Sequence, residues 1–283
     1  MSLNIKHAGS WREATEVHIK NSGTWRKCKE VYVKKNGVWQ PSLYELSSNT
    51  ITATGAGTVV VPLGAFRVTI TINGASGGKG GYDGGYYGGD GGLGASLTAT
   101  VDVEPFTTLS YTIATAGANG ASGSGNAGGT GGTGYASGGT GGTTGTAGWS
   151  GSGGGGGGSS AVLLPNSTII MVAGGGSGGG GRGNQAHLSQ SGITGKDSTA
   201  VVDYGTPSNG SNGENCTTAD GGAGGGGGAG YPGGAGGLYM GSYDSDGYPG
   251  EAGTSYFNSE EASTPTLSTH TGNGGITFTW LTE

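Results

Sequence analysis

Apolar residues along this chain fall in short runs of period two, each bounded by glycine or by turn residues. Phe66-Arg67-Val68-Thr69-Ile70-Thr71-Ile72 is the clearest, and Thr168-Ile169-Ile170-Met171-Val172 is a further, continuous apolar run. Strict alternation places one face of such a run in a core and the other in water, which predicts strands. Seven strands are expected over residues 58–62, 66–73, 95–103, 108–114, 160–164, 167–173 and 275–281. Nearer the start, Glu16-Val17-His18-Ile19-Lys20 and Glu30-Val31-Tyr32-Val33-Lys34 carry the same alternation. They belong to a 14-residue repeat marked by Gly9-Ser10-Trp11-Arg12, Gly23-Thr24-Trp25-Arg26 and Gly37-Val38-Trp39-Gln40. Asn21-Ser22-Gly23 and Lys35-Asn36-Gly37 tolerate positive φ at tight turns. The repeat predicts a β-meander of short hairpins, with Trp11, Trp25 and Trp39 in a common apolar layer.

Between the later strands lie tracts of another kind, and 72 of the 283 residues are glycine. Gly77-Gly78-Lys79-Gly80-Gly81, Gly88-Gly89-Asp90-Gly91-Gly92 and Gly128-Gly129-Thr130-Gly131-Gly132-Thr133-Gly134 repeat with period three. That is the period of the left-handed extended helix of polyproline and collagen, which has no internal hydrogen bonds. Glycine helices side by side can bond N–H to C=O between neighbours, since no Cβ holds the backbones apart. Collagen itself is excluded, because proline is scarce and no strict Gly-X-Y run occurs. The expected fold class is mainly β, with almost no α-helix. A β-meander of Trp repeats over residues 1–46 precedes a glycine-rich domain of strands and a packed polyglycine II helix bundle over 47–283.

Charge supports that division. Residues 1–46 hold eight Lys/Arg against four Asp/Glu, and the remainder holds four against fourteen. An acidic body lacks the clustered cations that nucleic acid requires. No run approaches the eighteen apolar residues of a membrane span, and no secretory leader is apparent. Cys28 and Cys216 have no CxxC partner, and His7, His18, His187 and His270 show no metal-ligand spacing. No P-loop is present, and GxGxxG patterns carry no information in a chain this rich in glycine. Asp244-Ser245-Asp246-Gly247 is a fragment of a calcium-loop pattern without its remaining ligands, which points to a solvated turn. Without a secretory leader, the Asn-x-Ser/Thr triplets at Asn166, Asn209 and Asn215 are not read as glycosylation sites. No catalytic set is discernible, so the reading is of a protein that is not an enzyme, without cofactor or metal.

The Gly-x-Trp repeat resembles short repeats common in phage tail and baseplate-associated proteins, which implies attachment of residues 1–46 to other phage tail proteins. Over residues 50–281 the resemblance is to the glycine-rich domain known from anaplastic lymphoma kinase receptors and phage tail proteins. It is carried by Val59-Val60-Val61-Pro62, Asn73-Gly74-Ala75, Gly153–Gly158 with Ser159-Ser160-Ala161-Val162, Ile169-Ile170-Met171-Val172-Ala173-Gly174-Gly175-Gly176, and Asn273-Gly274-Gly275-Ile276-Thr277-Phe278. It implies a tail-fibre or tail-tip adhesin in the virion, with recognition loops at the bundle tip facing a host surface glycan or outer-membrane protein. A purely structural virion protein (collar, plug or decoration) is the alternative, and ice binding by the Thr-bearing stretch 130–146 is a third class. Monomer and homotrimer both remain open.

Tyrosines interrupt the glycine tracts, and Tyr with Gly, Ser and Asn is also the composition of binding loops. Tyr82, Tyr86, Tyr87, Tyr239, Tyr243 and Tyr248 are therefore the candidate receptor-binding residues, and Trp11, Trp25 and Trp39 the candidates for virion attachment. Two polar insertions, Arg182–Asp220 and Leu238–Asn273, are expected to be long recognition loops.

Overall fold

The computed structural model describes all residues except 1–3, 8–9, 14–16, 29, 36–37, 45, 84, 124, 146–149, 184–193, 218–219, 242–244 and 283. Within the first 45 residues it describes side chains only at 17–20, 22–28 and 32. The described residues are mainly β and contain no helix.

The amino-terminal strands are β1 (Asn4–His7), β2 (Ser10–Glu13), β3 (His18–Asn21), β4 (Thr24–Lys27), β5 (Glu30–Lys35) and β6 (Val38–Tyr44). They form separate two-stranded sheets, β1 with β2, β3 with β4 and β5 with β6, rather than the expected continuous meander. The 14-residue period survives as register: Trp11 faces Lys6, Trp25 faces Lys20 and Trp39 faces Lys34. Trp25 is 63% exposed, with the Lys20 ammonium 5.9 Å from its ring centre, so it does not lie in a buried apolar layer. A lone two-stranded hairpin has too little mass to bury an indole on either face. The side chains of Trp11 and Trp39 lie outside the described residues.

The remaining strands are β7 (Asn49–Ile51), β8 (Gly55–Val60), β9 (Arg67–Asn73), β10 (Gly94–Asp102), β11 (Thr108–Ile113) and β12 (Ser160–Leu163). They continue with β13 (Ile169–Ala173), β14 (Val201–Val202), β15 (Ser255–Phe257), β16 (Thr266–His270) and β17 (Gly275–Leu281). Two open sheets result, ordered β16-β10-β9-β17-β7 and β14-β15-β13-β12-β11-β8. The alternation dictates how they pack. Val68, Ile70 and Ile72 of β9, Leu97 of β10 and Phe278 of β17 meet Leu109, Val162, Ile170 and Met171 of the second sheet in one buried core. On the other face of the first sheet, Thr266, Thr98, Thr71, Thr277 and Thr50 fall in one row across all five strands. Their hydroxyls bond across strands at 2.9 Å (Thr71–Thr98) and 3.1 Å (Thr50–Thr277). All seven expected strands are present, six of them with shifted ends; β7, β14 and β16 are short edge strands and β15 a short strand between β14 and β13, and their sequences lack the alternation.

From one end of this sandwich the glycine tracts run side by side, neither α-helical nor paired as strands. Their hydrogen bonds obey a single rule. In 151–159, successive N–H groups donate in rotation to 174–182, to 115–121 and to 137–144, and the rotation restarts every third residue. Its carbonyls accept in the same rotation from 74–81, 128–135 and 222–230. Tracts 174–182 and 222–230 behave likewise, and the three close a ring: Gly154 donates to Gly179 (2.9 Å), Gly178 to Gly226 (2.8 Å) and Gly226 to Gly154 (2.8 Å). Around these three inner tracts lies an outer ring, in order 74–81, 88–94, 195–200, 246–254, 233–238, 208–216, 137–144, 128–135 and 115–121, each bonded to the next and the last to the first. These links run through backbone, except that 195–200 meets 246–254 through the Ser198 hydroxyl, which donates to the Gly253 carbonyl, and through the Lys196–Glu251 pair.

The geometry explains the sequence of each tract. An inner tract meets neighbours on every side, so its positions take glycine or, at Ser152, Ser177, Ala223 and Ala229, a small side chain that is fully buried. A Cβ on Gly226 would sit 2.0 Å from the Gly139 carbonyl oxygen, and one on Gly154 2.1 Å from that of Gly78. An outer tract meets neighbours on two of its three sides and turns the third to water. Hence Lys79, Asp90, Thr130, Thr133 and Ala235 occupy exposed third positions between glycines.

Gly226→Ala is expected to destabilise the fold by at least about 3 kcal/mol, the upper end of ordinary overpacking, while Ala235→Ser should stay within about 0.5 kcal/mol. Chemical unfolding of the two variants checks this. In native-state hydrogen exchange, amides of 151–159, 174–182 and 222–230 should exchange only through global unfolding.

Candidate functional site

Seven tracts are continuous with sandwich strands: 74–81 leaves β9, 88–94 enters β10, 115–121 leaves β11, 151–159 enters β12, 174–182 leaves β13, 195–200 enters β14 and 246–254 enters β15. The sandwich therefore closes one end of the bundle. At the opposite end the chain crosses between tracts six times: from 81 to 88, 121 to 128, 144 to 151, 182 to 195, 216 to 222 and 238 to 246. This far end is the candidate site.

Tyr82, Tyr86 and Tyr87 lie on the first crossing. Asp83 and Tyr86 exchange backbone bonds of 2.9 and 2.8 Å, which fold it into a tight turn. The Tyr82 and Tyr87 rings stand 5.9 Å apart, and Tyr87 is 73% exposed. Tyr239 follows 233–238 into the last crossing, where its N–H donates to the Glu214 carboxylate at 2.9 Å. Tyr248 is elsewhere. It belongs to 246–254 on the flank of the bundle, where its carbonyl accepts from Gly225 and its N–H donates to Leu238. Tyr243 lies outside the described residues.

Arg182 ends an inner tract and is the largest fully buried side chain, with 2% exposure. Its guanidinium donates to Asp246 Oδ2 at 2.7 Å, and Asp246 Oδ1 accepts the Gly183 N–H at 2.9 Å. The Tyr86 ring lies 5.5 Å from the guanidinium carbon. A carboxylate acceptor on one side and an aromatic face on the other let Arg stay buried there. Asp246, expected in a solvated turn, instead ties the last crossing to the inner tract; its partner is 64 positions away in sequence and could not be inferred from spacing.

The two insertions expected to be long recognition loops are mostly bundle. Arg182–Asp220 contains two outer tracts and β14, and Leu238–Asn273 contains 246–254, β15 and β16. They escape a glycine count because an outer tract tolerates side chains and needs few glycines. In 208–216, Asn209, Asn212 and Asn215 recur with period three, and their Oδ1 atoms accept the N–H of Ser137, Thr140 and Thr143, each at 2.9 Å. The carboxamides serve the amides that a neighbouring outer tract turns toward water, which accounts for two of the three Asn-x-Ser/Thr triplets. Side chains bridge other outer tracts similarly: Lys79 pairs with Asp90 at 2.7 Å, Lys196 with Glu251, and Thr115 with Thr133 at 3.2 Å. The hydrogen bond and charge of Asp90 raise the Lys79 pKa above its usual value.

At the sandwich end, Tyr231 stacks on Tyr256 with ring centres 4.1 Å apart, beside Tyr135. Burial, and then Tyr231, raise the phenol pKa values of Tyr135 and Tyr256. These rings cap the bundle where it meets the second sheet and take no part in the far end. Groups of His, Cys, Asp and Glu arranged to hold a metal ion are absent among the described residues.

Compared with known proteins, the chain matches no family model and no curated protein.

Asp246→Ala leaves Arg182 buried without its carboxylate and is expected to cost about 3 kcal/mol or more. Asn212→Ala should cost under about 1 kcal/mol, because water can reach the Thr140 amide. Thermal unfolding of both variants tests that difference.

Proposed function

We propose that this chain is a non-enzymatic virion protein of a bacteriophage tail fibre or tail tip, and that its far end is a host-receptor-binding adhesin. In this reading the bonded tracts are polyglycine II helices, whose threefold period matches their three-way rotation of donors. The hairpins of residues 1–46 form a Trp-repeat attachment module, with Trp11, Trp25 and Trp39 docking onto other phage tail proteins. An exposed indole such as Trp25 favours an interface over a core, since aromatic anchors dominate interface energetics.

The observation that carries the proposal is the collection of all six crossings at one end of the bundle. A scaffold whose interior is backbone bonded to backbone in three directions leaves little room for side chains inside, and exposed residues such as Tyr82 and Tyr87 that join its tracts at the tip are free of that packing. Loops on a rigid scaffold are where recognition residues accumulate. The exposed tyrosines of the first crossing offer amphipathic contact area at low entropy cost. Several copies on one particle would add avidity to weak single contacts.

Capture of the full-length protein by a panel of bacterial strains tests the reading. A Tyr82→Ala/Tyr87→Ala/Tyr239→Ala variant should lose capture by its host strain about tenfold or more, the scale of aromatic hot spots. Tyr204→Ala, at the sandwich end, should lose none. Equal capture by both variants, or no capture by any strain from a protein that assembles into virions, would give the role to a collar or decoration protein.

A further inference from the structure

We infer that the flank of the bundle just behind the first crossing holds a subsite for one neutral hexopyranose ring, built from Tyr87, Lys79 and Asp90. The inference rests on the reading of the far end as a receptor-binding surface and names the chemistry it takes.

The groove is lined by Lys79 and Gly80 of 74–81 and by Tyr87, Gly88 and Asp90 on and beside 88–94, with a cavity volume of about 260 Å³. Its floor is glycine, because each tract needs its inward positions free of side chains. Its walls come from the positions that face outward. Tyr87 stands at one end with its ring 73% exposed and braced by Tyr82 at 5.9 Å. At the other end Lys79 Nζ lies 2.7 Å from Asp90 Oδ1. The tight bonding of the two tracts, Gly77 to Gly92 and Gly80 to Gly89 at 2.9 and 2.8 Å, holds both walls at fixed separation.

A pyranose has an apolar face of C–H groups and a periphery of adjacent hydroxyls. Tyr87 offers a flat amphipathic surface for the first. For the second, an ammonium supplies only donors and a carboxylate only acceptors, and a pair of adjacent hydroxyls can satisfy both at once. The Lys79 and Asp90 charges cancel, so the groove has no net charge to offer. An anionic sugar would have to compete with Asp90 for Lys79, which favours a neutral ring. Backbone rigidity means that little ordering is required on binding.

Saturation-transfer NMR on the full-length protein tests this, with the methyl glycosides of glucose, galactose, mannose and N-acetylglucosamine as probes. At least one should receive saturation from the Tyr87 ring. Tyr87→Trp should keep that transfer, Tyr87→Ala should weaken binding about tenfold, and Asp90→Asn should weaken it while Tyr204→Ala does not. Tyr87 is exposed, so its substitution should leave the unfolding midpoint unchanged. Absence of transfer to all four glycosides, or equal binding by Tyr87→Ala, overturns the subsite. Two outcomes separate it from the adhesin reading. Cell capture abolished by the triple tyrosine variant but untouched by Tyr87→Ala would remove the subsite and leave the adhesin. Binding of a hexoside by a protein that captures no cells would do the reverse.

Discussion

The structure depends on one interaction, the N–H to C=O hydrogen bond between neighbouring glycine tracts, repeated with period three. Each bond contributes only about 1 kcal/mol net, and glycine enters folding with the largest entropic penalty of any residue. What compensates is density. An inner tract such as 151–159 donates in three directions and accepts from three others, so nearly every residue contributes two bonds within a space that side chains would otherwise hold open. The same closeness makes the arrangement intolerant, since a Cβ on an inner glycine would lie about 2 Å from a neighbouring carbonyl oxygen.

The sandwich and the bundle divide the labour. The sandwich has an ordinary apolar core, with Phe278 stacked on Trp280 at 5.5 Å and Ile70, Leu97 and Met171 buried around them. It sets the spacing and direction of the seven tracts that run into or out of its strands. Once started in register, these tracts leave slots that the others fill. The serines at the ends of the inner tracts mark the change from one mode to the other. Ser160 Oγ accepts the Ala114 N–H at 3.0 Å, and Ser159 Oγ accepts that of Ala136 at 3.0 Å, each hydroxyl replacing a carbonyl where the lattice meets the sheet.

The lattice leaves little free. The inner positions carry glycine or small buried residues, and many outward positions carry polar side chains that bridge neighbours. The exposed side chains of the far end are free of both constraints. Arg182 and Asp246 show how that end is held: a charge buried at the tip of an inner tract reaches across to a crossing remote in sequence and pins it beside Tyr86.

The sequence by itself determined seven strands of the sandwich, because their apolar and polar patterning is a local consequence of the pleat. It also determined that the glycine tracts pack with period three, because Gly-Gly-x leaves two sides open and the third occupied. Four matters were decided only by tertiary structure. Which tracts lie inside depends on how many sides each meets, and 222–230 differs from 128–135 in composition only by what fills every third position. The tracts 195–200, 208–216 and 246–254 were hidden in polar sequence, since an outer tract may carry Asn, Lys or Glu where water is near. Short strands such as β14 and β15 take their pairing from neighbours rather than from their own residues. The separation of Tyr82, Tyr86, Tyr87 and Tyr239 at the far end from Tyr135 and Tyr231 at the sandwich was illegible too. Their flanking sequences are alike, and only the direction in which each tract runs assigns a tyrosine to one end or the other.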